Sequence, residues 1–358
     1  MNKKTVSVVL PALSLSLLLA SCDGGGGGPV DTSTKVTTLT DSGAGSLRQA
    51  LTDAKAGGTI RFTTTGTVTL ASPLTTTKNV TIDATGVTFD AAGKGRVLEV
   101  PAGSTVTIKG GTLTGGVGSI IPLSKNGNLQ AQADSKATYG GVILNRGTLT
   151  LDGTTVTGGK ANNGGGISNA EGASLNLIGS ALVTANEATP LAPDSAGEAN
   201  GHGGGVHNAG TLVIDGGQIN ANTAIYGGGG IRNTSKGSVT LKNGSVDGNR
   251  CTLPFTGTTA ENARGCVGGG INSSGSLNLL GGSVSNNTAS YFGGGIAQNA
   301  SCKDSSCKRE EYIYPTFTMS GGAVSGNKTT GTVDNGGGGI WLRANATITG
   351  GTVSGNTS

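Results

Sequence analysis

A repeat that returns about every 25 residues dominates the sequence, and it limits the chain to a small set of folds. Each unit holds a run of glycines, an Ile or Val, a stretch in which apolar and polar residues alternate, and then Val-x-x-Asn. Apolar residues at every second position predict short β-strands with one buried face. Because one such unit cannot bury its apolar face alone, the repeat predicts a solenoid of stacked coils.

The Ile or Val after each glycine run marks one unit. These landmarks are Val142, Ile167, Val206, Ile231, Ile271, Ile296 and Ile340. They are separated by 25, 39, 25, 40, 25 and 44 residues. The longer intervals place inserts in alternate coils, at about residues 187–202, 250–267 and 300–315. We expect these inserts to project as a row on one side of the solenoid and to present loops for recognition.

An asparagine stands three residues after the Val or Ile that ends each of the later units. These positions are Asn186, Asn222, Asn249, Asn287, Asn327 and Asn356. Asparagine tolerates left-handed backbone and bonds to its own turn, so stacked turns predict a ladder of side-chain amides. A calcium or sugar site built on these residues is less favoured, because carboxylates are almost absent from the column.

Composition argues against a globular domain of average design. The chain has 68 glycines in 358 residues, with 12% charged and 3% aromatic residues, and its regular Val, Leu and Ile pairs argue against disorder. The net charge is +4, and removing Lys3 and Lys4 with a signal peptide leaves 22 basic and 20 acidic residues. This near-neutral balance gives no electrostatic footprint for nucleic acid.

The first residues predict export and a lipid anchor. Lys3 and Lys4 precede an apolar stretch that is too short for a membrane span of ~20 residues and is typical of a signal peptide. The stretch ends in Leu-Ala-Ser-Cys, which resembles a bacterial lipoprotein signal, and this resemblance implies that Cys22 is acylated and holds the protein on a membrane of the cell envelope. The expected organisation is a signal peptide at 1–21, a Gly-rich tether at 22–37 and a β-helix domain at 38–358.

A short helix is expected at the start of the β-helix domain. Ser46 and Gln49 have the spacing of a capping box, and Leu47, Ala50 and Leu51 trace one helical face. A solenoid needs a cap over its open end. The helix, at residues 46–56, is therefore predicted to cover the apolar end of the first coil.

Two kinds of segment resemble known families. Residues 41–51, Asp-Ser-Gly-Ala-Gly-Ser-Leu-Arg-Gln-Ala-Leu, are similar to the amino-terminal cap of right-handed parallel β-helix proteins of the pectin-lyase-like class. The Gly-Gly-Gly-Ile and Val-x-x-Asn units resemble the repeats of polymorphic outer-membrane proteins, although Val replaces Phe here. The resemblance covers about residues 38–358. It implies an all-β fold, a right-handed parallel β-helix of about nine or ten coils with a short amino-terminal capping helix.

Enzymes of the pectin-lyase-like class act on acidic polysaccharides with clustered carboxylates, often together with calcium. In this chain Asp152 and Asp215 share a repeat position, but Ile178 and Asn243 occupy it in neighbouring units. We therefore expect a non-catalytic lipoprotein of the cell envelope, without cofactor or metal, that presents loops for adhesion or for binding glycans or proteins. The alternative is a polysaccharide lyase or glycoside hydrolase of this class.

Four residues are candidates for glycan binding. His207 and Arg232 each follow a landmark in neighbouring units, but no carboxylate would orient the histidine, so a solvated outer face is favoured over catalysis. Tyr226 and Tyr291 each stand five residues before a landmark and two coils apart, hence ~10 Å apart. That separation suits stacking on alternate units of a glycan, while the rival interpretation is that the rings shield the corner before Gly.

Four cysteines remain once Cys22 is assigned to the lipid, and an exported chain keeps disulfides. Of the three pairings that four cysteines permit, we favour the local one, because each pair lies within one insert. It joins Cys251 to Cys266 and Cys302 to Cys307. A zinc site of four cysteines is the rival, but the spacings differ from those of the usual paired knuckles.

The last residues of the sequence predict an open end. Ser358 follows the final Val-x-x-Asn, with no segment similar to the amino-terminal cap. Unpaired strand edges are a template for association with another chain. The expectation is either a frayed last coil or a weak end-to-end homodimer.

Overall fold

A computed structural model describes residues 32–120, 137–189, 201–256, 265–301, 311–331 and 336–358. Cys22, Cys302 and Cys307 lie outside the described residues, so the lipid anchor and the second disulfide stay predictions. Within these ranges no helix is long and apolar enough to cross a membrane.

The chain from Ser33 to Ser358 is one compact unit, a parallel β-helix. This confirms the predicted all-β fold class. Each coil runs through a strand of a nine-stranded second sheet, then through one or two strands of a 19-stranded first sheet, and in the later coils through a strand of a six-stranded third sheet. A corner rich in glycine then leads to the next coil.

The first sheet forms the broadest face. Its strands are Thr34–Val36, Gly58–Phe62, Gly66–Thr69, Val80–Asp83, Val87–Asp90, Thr105–Lys109, Thr112–Thr114, Thr148–Asp152, Thr155–Thr157, Ser174–Ile178, Leu182–Thr184, Thr211–Asn220, Ser238–Asp247, Ser276–Leu279, Ser283–Ser285, Thr316–Met319, Ala323–Ser325, Asn345–Ile348 and Thr352–Ser354. Within the described residues eleven of them stack from Thr34–Val36 to Asn345–Ile348, close to the predicted nine or ten coils.

The other two sheets have shorter strands. The second sheet consists of Leu74–Thr75, Leu98–Val100, Ile143–Asn145, Ile167–Asn169, Val206–Asn208, Ile231–Asn233, Ile271–Ser273, Ile296–Gln298 and Ile340–Leu342. The third sheet consists of Lys160–Ala161, Glu187–Ala188, Thr223–Ala224, Arg250–Cys251, Thr288–Ala289 and Lys328–Thr329. Ser119–Ile120 and Thr138–Tyr139 form a separate antiparallel pair.

The core is a set of columns in which each coil stacks like side chains on like. One column, with every member at most 1% exposed, is Val106, Leu149, Leu175, Leu212, Val239, Leu277 and Phe317. Burying a side chain of this size stabilises the fold by roughly 1.5–3 kcal/mol. The period-two pattern of the sequence therefore sets both the strand register and the core.

Two amide ladders run along the solenoid. In the Val-x-x-Asn ladder, predicted from the sequence, the Asn249 Oδ1 accepts hydrogen bonds from the backbone N (3.0 Å) and from Nδ2 (3.0 Å) of Asn222. A second ladder, whose stacking the sequence did not reveal, lies in the second sheet, where each Nδ2 donates to the side chain of the next coil. Its members are Asn145, Asn169, Asn208, Asn233 and Ser273.

The amino-terminal helix spans Leu47–Asp53, which is shorter than the predicted 46–56. Ser46 caps it by accepting a hydrogen bond from the Gln49 backbone N, but the Gln49 side chain donates to Asp53 instead of returning to the cap. Only half of the expected capping box therefore forms. Leu47, Ala50 and Leu51 are buried, as predicted from the helical face.

The structure corrects three boundaries. Thr34–Val36 is a strand paired with Ile60 and its neighbours, so the solenoid begins inside the predicted tether of residues 22–37. Ile143, not Val142, aligns with Ile167 and is the landmark of its coil. The insert at 300–315 follows the second sheet, whereas those at 187–202 and 250–267 follow the third, so the three do not project as one row.

Candidate functional site

The glycine corner before the second sheet positions the candidate side chains His207, Arg232, Tyr226 and Tyr291. Within the described residues, a glycine with a φ of 58° to 68°, which L-residues rarely adopt, precedes seven of the nine second-sheet strands. These glycines are Gly140, Gly164, Gly203, Gly228, Gly268, Gly293 and Gly337. The residue before each glycine belongs to a column of stacked positions, among them Tyr139, Asn163 and His202. Side chains of this column face those on the outer side of the second sheet.

His207 and Arg232 are neighbours in register on the second sheet, as the sequence predicted. His207 is only 6% exposed, however, and the edge of its ring meets Tyr139 at 5.7 Å between centroids. Burial, with smaller contributions from Arg232 and His202, lowers the pKa of His207 to about 3. The predicted solvated outer face is therefore wrong at His207, because the corner column covers it, and the neutral imidazole is a weak base.

This buried histidine predicts acid sensitivity. The pKa of His207 rises from about 3 in the folded chain to about 6.5 on unfolding, so the unfolded state binds an extra proton between these values. The stability that depends on neutral His207 is complete above pH 6.5 and is lost as the pH falls toward 3, by on the order of 5 kcal/mol. We expect urea midpoints of His207→Gln to fall less than those of wild type between pH 7 and 4. Equal pH slopes for wild type and His207→Gln would contradict the assignment.

Tyr226 and Tyr291 stand in one column with Cys266 between them. The Val267 backbone N donates to the Tyr226 carbonyl at 3.4 Å, and the Tyr291 backbone N donates to the Cys266 carbonyl at 3.0 Å. The two tyrosines are thus two coils apart, as expected. Their rings have different partners: the Tyr226 ring lies 5.9 Å from His202, while the Tyr291 ring packs on Phe292. They do not form two equivalent free platforms.

An aromatic row of Phe255, Tyr291, Phe292 and Trp341 crosses the later coils. Ring centroids are 5.3 Å apart for Phe255 and Tyr291, 3.7 Å for Tyr291 and Phe292, and 4.8 Å for Phe292 and Trp341. All four side chains are partly exposed. Because the inner rings cover one another, the faces left for a ligand are those at the two ends, on Phe255 and on Trp341.

A disulfide holds the segment that carries Phe255. It joins Cys251, at the end of a third-sheet strand, to Cys266, before the glycine corner, with the Cα atoms 5.8 Å apart. This is the local pairing expected from the sequence. Both sulfurs are buried and pack with Ala289 and Leu253 as a small core of their own. The disulfide thus fixes both ends of the 252–265 insert.

Phe255 borders a surface groove of about 620 Å³ beside the third sheet. Threonine hydroxyls line it, together with the exposed Arg250 and one wall formed by Phe255; they belong to Thr252, Thr288 and Thr330. The hydroxyl of the buried lining residue Ser290 is bonded within the chain. None of the described lining residues carries a carboxylate. The groove therefore combines a flat apolar ring, hydrogen-bonding groups and a cation, which is the composition of a binding site for a polar ligand with one apolar face.

No protein-family model, curated protein or solved structure matches this chain. Any function must therefore be argued from its own residues. In the part of the chain that the structure describes, no three His, Cys, Asp or Glu side chains are placed to hold a metal ion. The groove at Phe255 is the candidate functional site. Sequence reasoning pointed to its insert but missed Phe255, which no repeat position singles out.

Proposed function

We propose that this chain is a non-catalytic protein of the cell envelope that binds glycan in the Phe255 groove. The observation that carries the proposal is the pairing of an aromatic wall, Phe255, with threonine hydroxyl groups in one groove. One face of a sugar ring is a flat array of C–H bonds, which packs on an aromatic ring, while its hydroxyl groups need hydrogen-bonding partners. Phe255 and the threonine hydroxyls of the groove offer these two kinds of contact.

The rigidity of the groove supports this proposal. Thr288 lies on a third-sheet strand, and the Ser290 Oγ donates to the Leu253 carbonyl and accepts from the Cys266 backbone N at 2.9 Å. These bonds tie Leu253 and Cys266, near the two ends of the insert, to the following coil. A groove whose walls are already ordered loses little conformational entropy when a ligand binds.

The test is glycan binding by the full chain. We expect the protein to bind a soluble oligosaccharide of glucose, N-acetylglucosamine or xylose. Phe255→Ala should weaken the affinity for that oligosaccharide by about tenfold, which is about 1.4 kcal/mol. Calorimetric titration measures the affinity. Tyr314→Ala is the matched control, because Tyr314 is 42% exposed but lies away from the groove.

Two outcomes would overturn this function. Wild-type affinity in Phe255→Ala, or no binding across a broad panel of neutral and acidic glycans, would remove the groove as a glycan site. Release of unsaturated or reducing ends, lost on changing Asp215, would favour the lyase or hydrolase of the pectin-lyase-like class instead. Asp215 is exposed and forms an ion pair with Lys242 at 3.8 Å.

The envelope location in this proposal rests on the signal-like segment that ends at Cys22. A lipid there would hold the solenoid at a membrane with its groove open to the surroundings. Retention of a Cys22→Ser variant in the membrane fraction would argue against this anchor. The end-to-end dimer also stays a proposal; Ile348 and Val353, both more than half exposed on the last described coil, are the apolar residues available to it.

A further inference from the structure

Arg232 lies on the outer side of the second sheet, away from the Phe255 groove, and is partly buried. Its Nη1 donates to the Asn272 Oδ1 at 3.1 Å and to the Ser274 Oγ at 3.2 Å. Asn272 follows Arg232 in register on the next coil, and its Oδ1 also accepts from the Asn299 Nδ2 at 2.8 Å. The position is thus built from residues on or next to the strands of three successive coils.

The charge of Arg232 has no counter-charge among the described residues. Its hydrogen-bond acceptors are a neutral amide and a neutral hydroxyl, and its neighbour on the preceding coil is the neutral His207. Burial alone lowers the pKa of Arg232 to about 10, so at neutral pH the guanidinium is charged in a poorly solvated place. A partly buried cation without an anion is costly, and proteins usually supply a partner for it.

The donors that Arg232 leaves unused have the shape of a binding site. A guanidinium has five N–H donors in a rigid plane, and both bonds that Arg232 makes come from Nη1. Nε and Nη2 remain, and together they form the fork that matches two oxygens of a carboxylate or sulfate. Gly227 leaves space next to the Asn272 side chain, because a Cβ there would come within 2.4 Å of the Asn272 Nδ2.

We propose that Arg232, held in place by Asn272 and Ser274, forms an oxyanion-binding site in which a carboxylate or sulfate group supplies the missing counter-charge. The fork formed by Nε and Nη2 takes two oxygens of the anion, while the bonds from Nη1 to Asn272 and Ser274 fix the plane of the guanidinium. The group is either a free anion or the acidic group of a sugar, and the two sources share this chemistry. The site goes beyond the glycan groove and does not require it.

The test is thermal unfolding at constant ionic strength in chloride, in sulfate and in glucuronate. An anion that binds only the folded chain raises Tm with its concentration. Sulfate also stabilises proteins in general, so the quantity compared is the shift in wild type minus the shift in Arg232→Gln. We expect the wild-type shift in Tm to exceed that of Arg232→Gln by a few degrees. Arg61→Gln is the control, because exposed Arg61 already pairs with Asp83 at 3.8 Å, and its shift should equal that of wild type.

The sources separate in the same experiment. A saturable excess with both anions identifies the oxyanion alone as the ligand, whereas a response to glucuronate at much lower concentration than to sulfate identifies a sugar acid. Equal shifts in wild type and Arg232→Gln with both anions would overturn the proposal. If Arg232→Gln does not fold, Asn272→Asp is the second variant: its carboxylate beside Nη1 would supply the counter-charge from within the chain and reduce the excess shift, and an undiminished excess would again overturn the site.

Discussion

Replacing Asn249 with Ala is expected to lower the free energy of unfolding by about 3–5 kcal/mol. Asn249 is 1% exposed, and its Oδ1 is the acceptor for the Asn222 backbone N, while its Nδ2 donates to the Ile219 carbonyl at 2.8 Å and to the Asn287 Oδ1 at 3.0 Å. The variant would leave these groups buried without their partner, and each such loss costs about 1–3 kcal/mol.

Urea unfolding of the full chain measures this loss. Asn220→Ala is the matched control, because Asn220 stands only two residues from ladder member Asn222, is partly exposed, and its amide makes one long bond of 3.4 Å to the Gln218 side chain. We expect that control to cost less than about 1 kcal/mol. Similar losses in Asn249→Ala and Asn220→Ala would show that the ladder adds nothing beyond an ordinary surface amide.

Gly228→Ala is expected to destabilise the chain by about 3 kcal/mol or more, whereas Gly248→Ala should cost about 1–2 kcal/mol. The two glycines have nearly the same φ, 64° and 62°. A Cβ at Gly228 would lie 2.2 Å from the carbonyl oxygen of Ile231, but at Gly248 it would meet nothing within 4 Å. The difference therefore isolates the steric contact at the corner from the cost of left-handed backbone.

The measurement is again the urea midpoint, supported by circular dichroism to show that both variants keep their strand content. A corner that relaxes by shifting Ile231 outward would make the two variants equally stable. That result would mean that the glycine column reflects local backbone preference and not close approach between segments of one coil.

The repeat carried most of the information needed for the fold. Apolar residues such as Leu149 and Leu151 recur at spacing two in each unit, and only stacking in register buries them all, so coil number and core followed from the sequence. The predicted landmark Val142 is one residue too early because Val142 and Ile143 are both apolar and both buried. An apolar pattern does not distinguish two such neighbours; the pairing of Ile143 with Ile167 does.

The candidate site was less accessible to prediction. Tyr291 stood out by its repeat position, but the aromatic row joins residues that lie far apart in the sequence, from Phe255 to Trp341, and only the stacking of coils brings them together. Phe255 lies in an insert, where no periodicity constrains its neighbours. His207 was expected to be solvated because alternation marks it as outward, yet the corner column covers that side of the sheet.

The stacking of equivalent coils has an evolutionary consequence. From Asn186 onward, neighbouring coils present matching apolar columns and the same ladder amide to each other, so a duplicated or deleted set of these later coils would meet surfaces that already fit. Gene segments encoding whole repeats can therefore be gained or lost with little change to the remaining protein. The length of the solenoid, and with it the reach of any ligand site along its axis, is then free to vary while the inserts diverge independently.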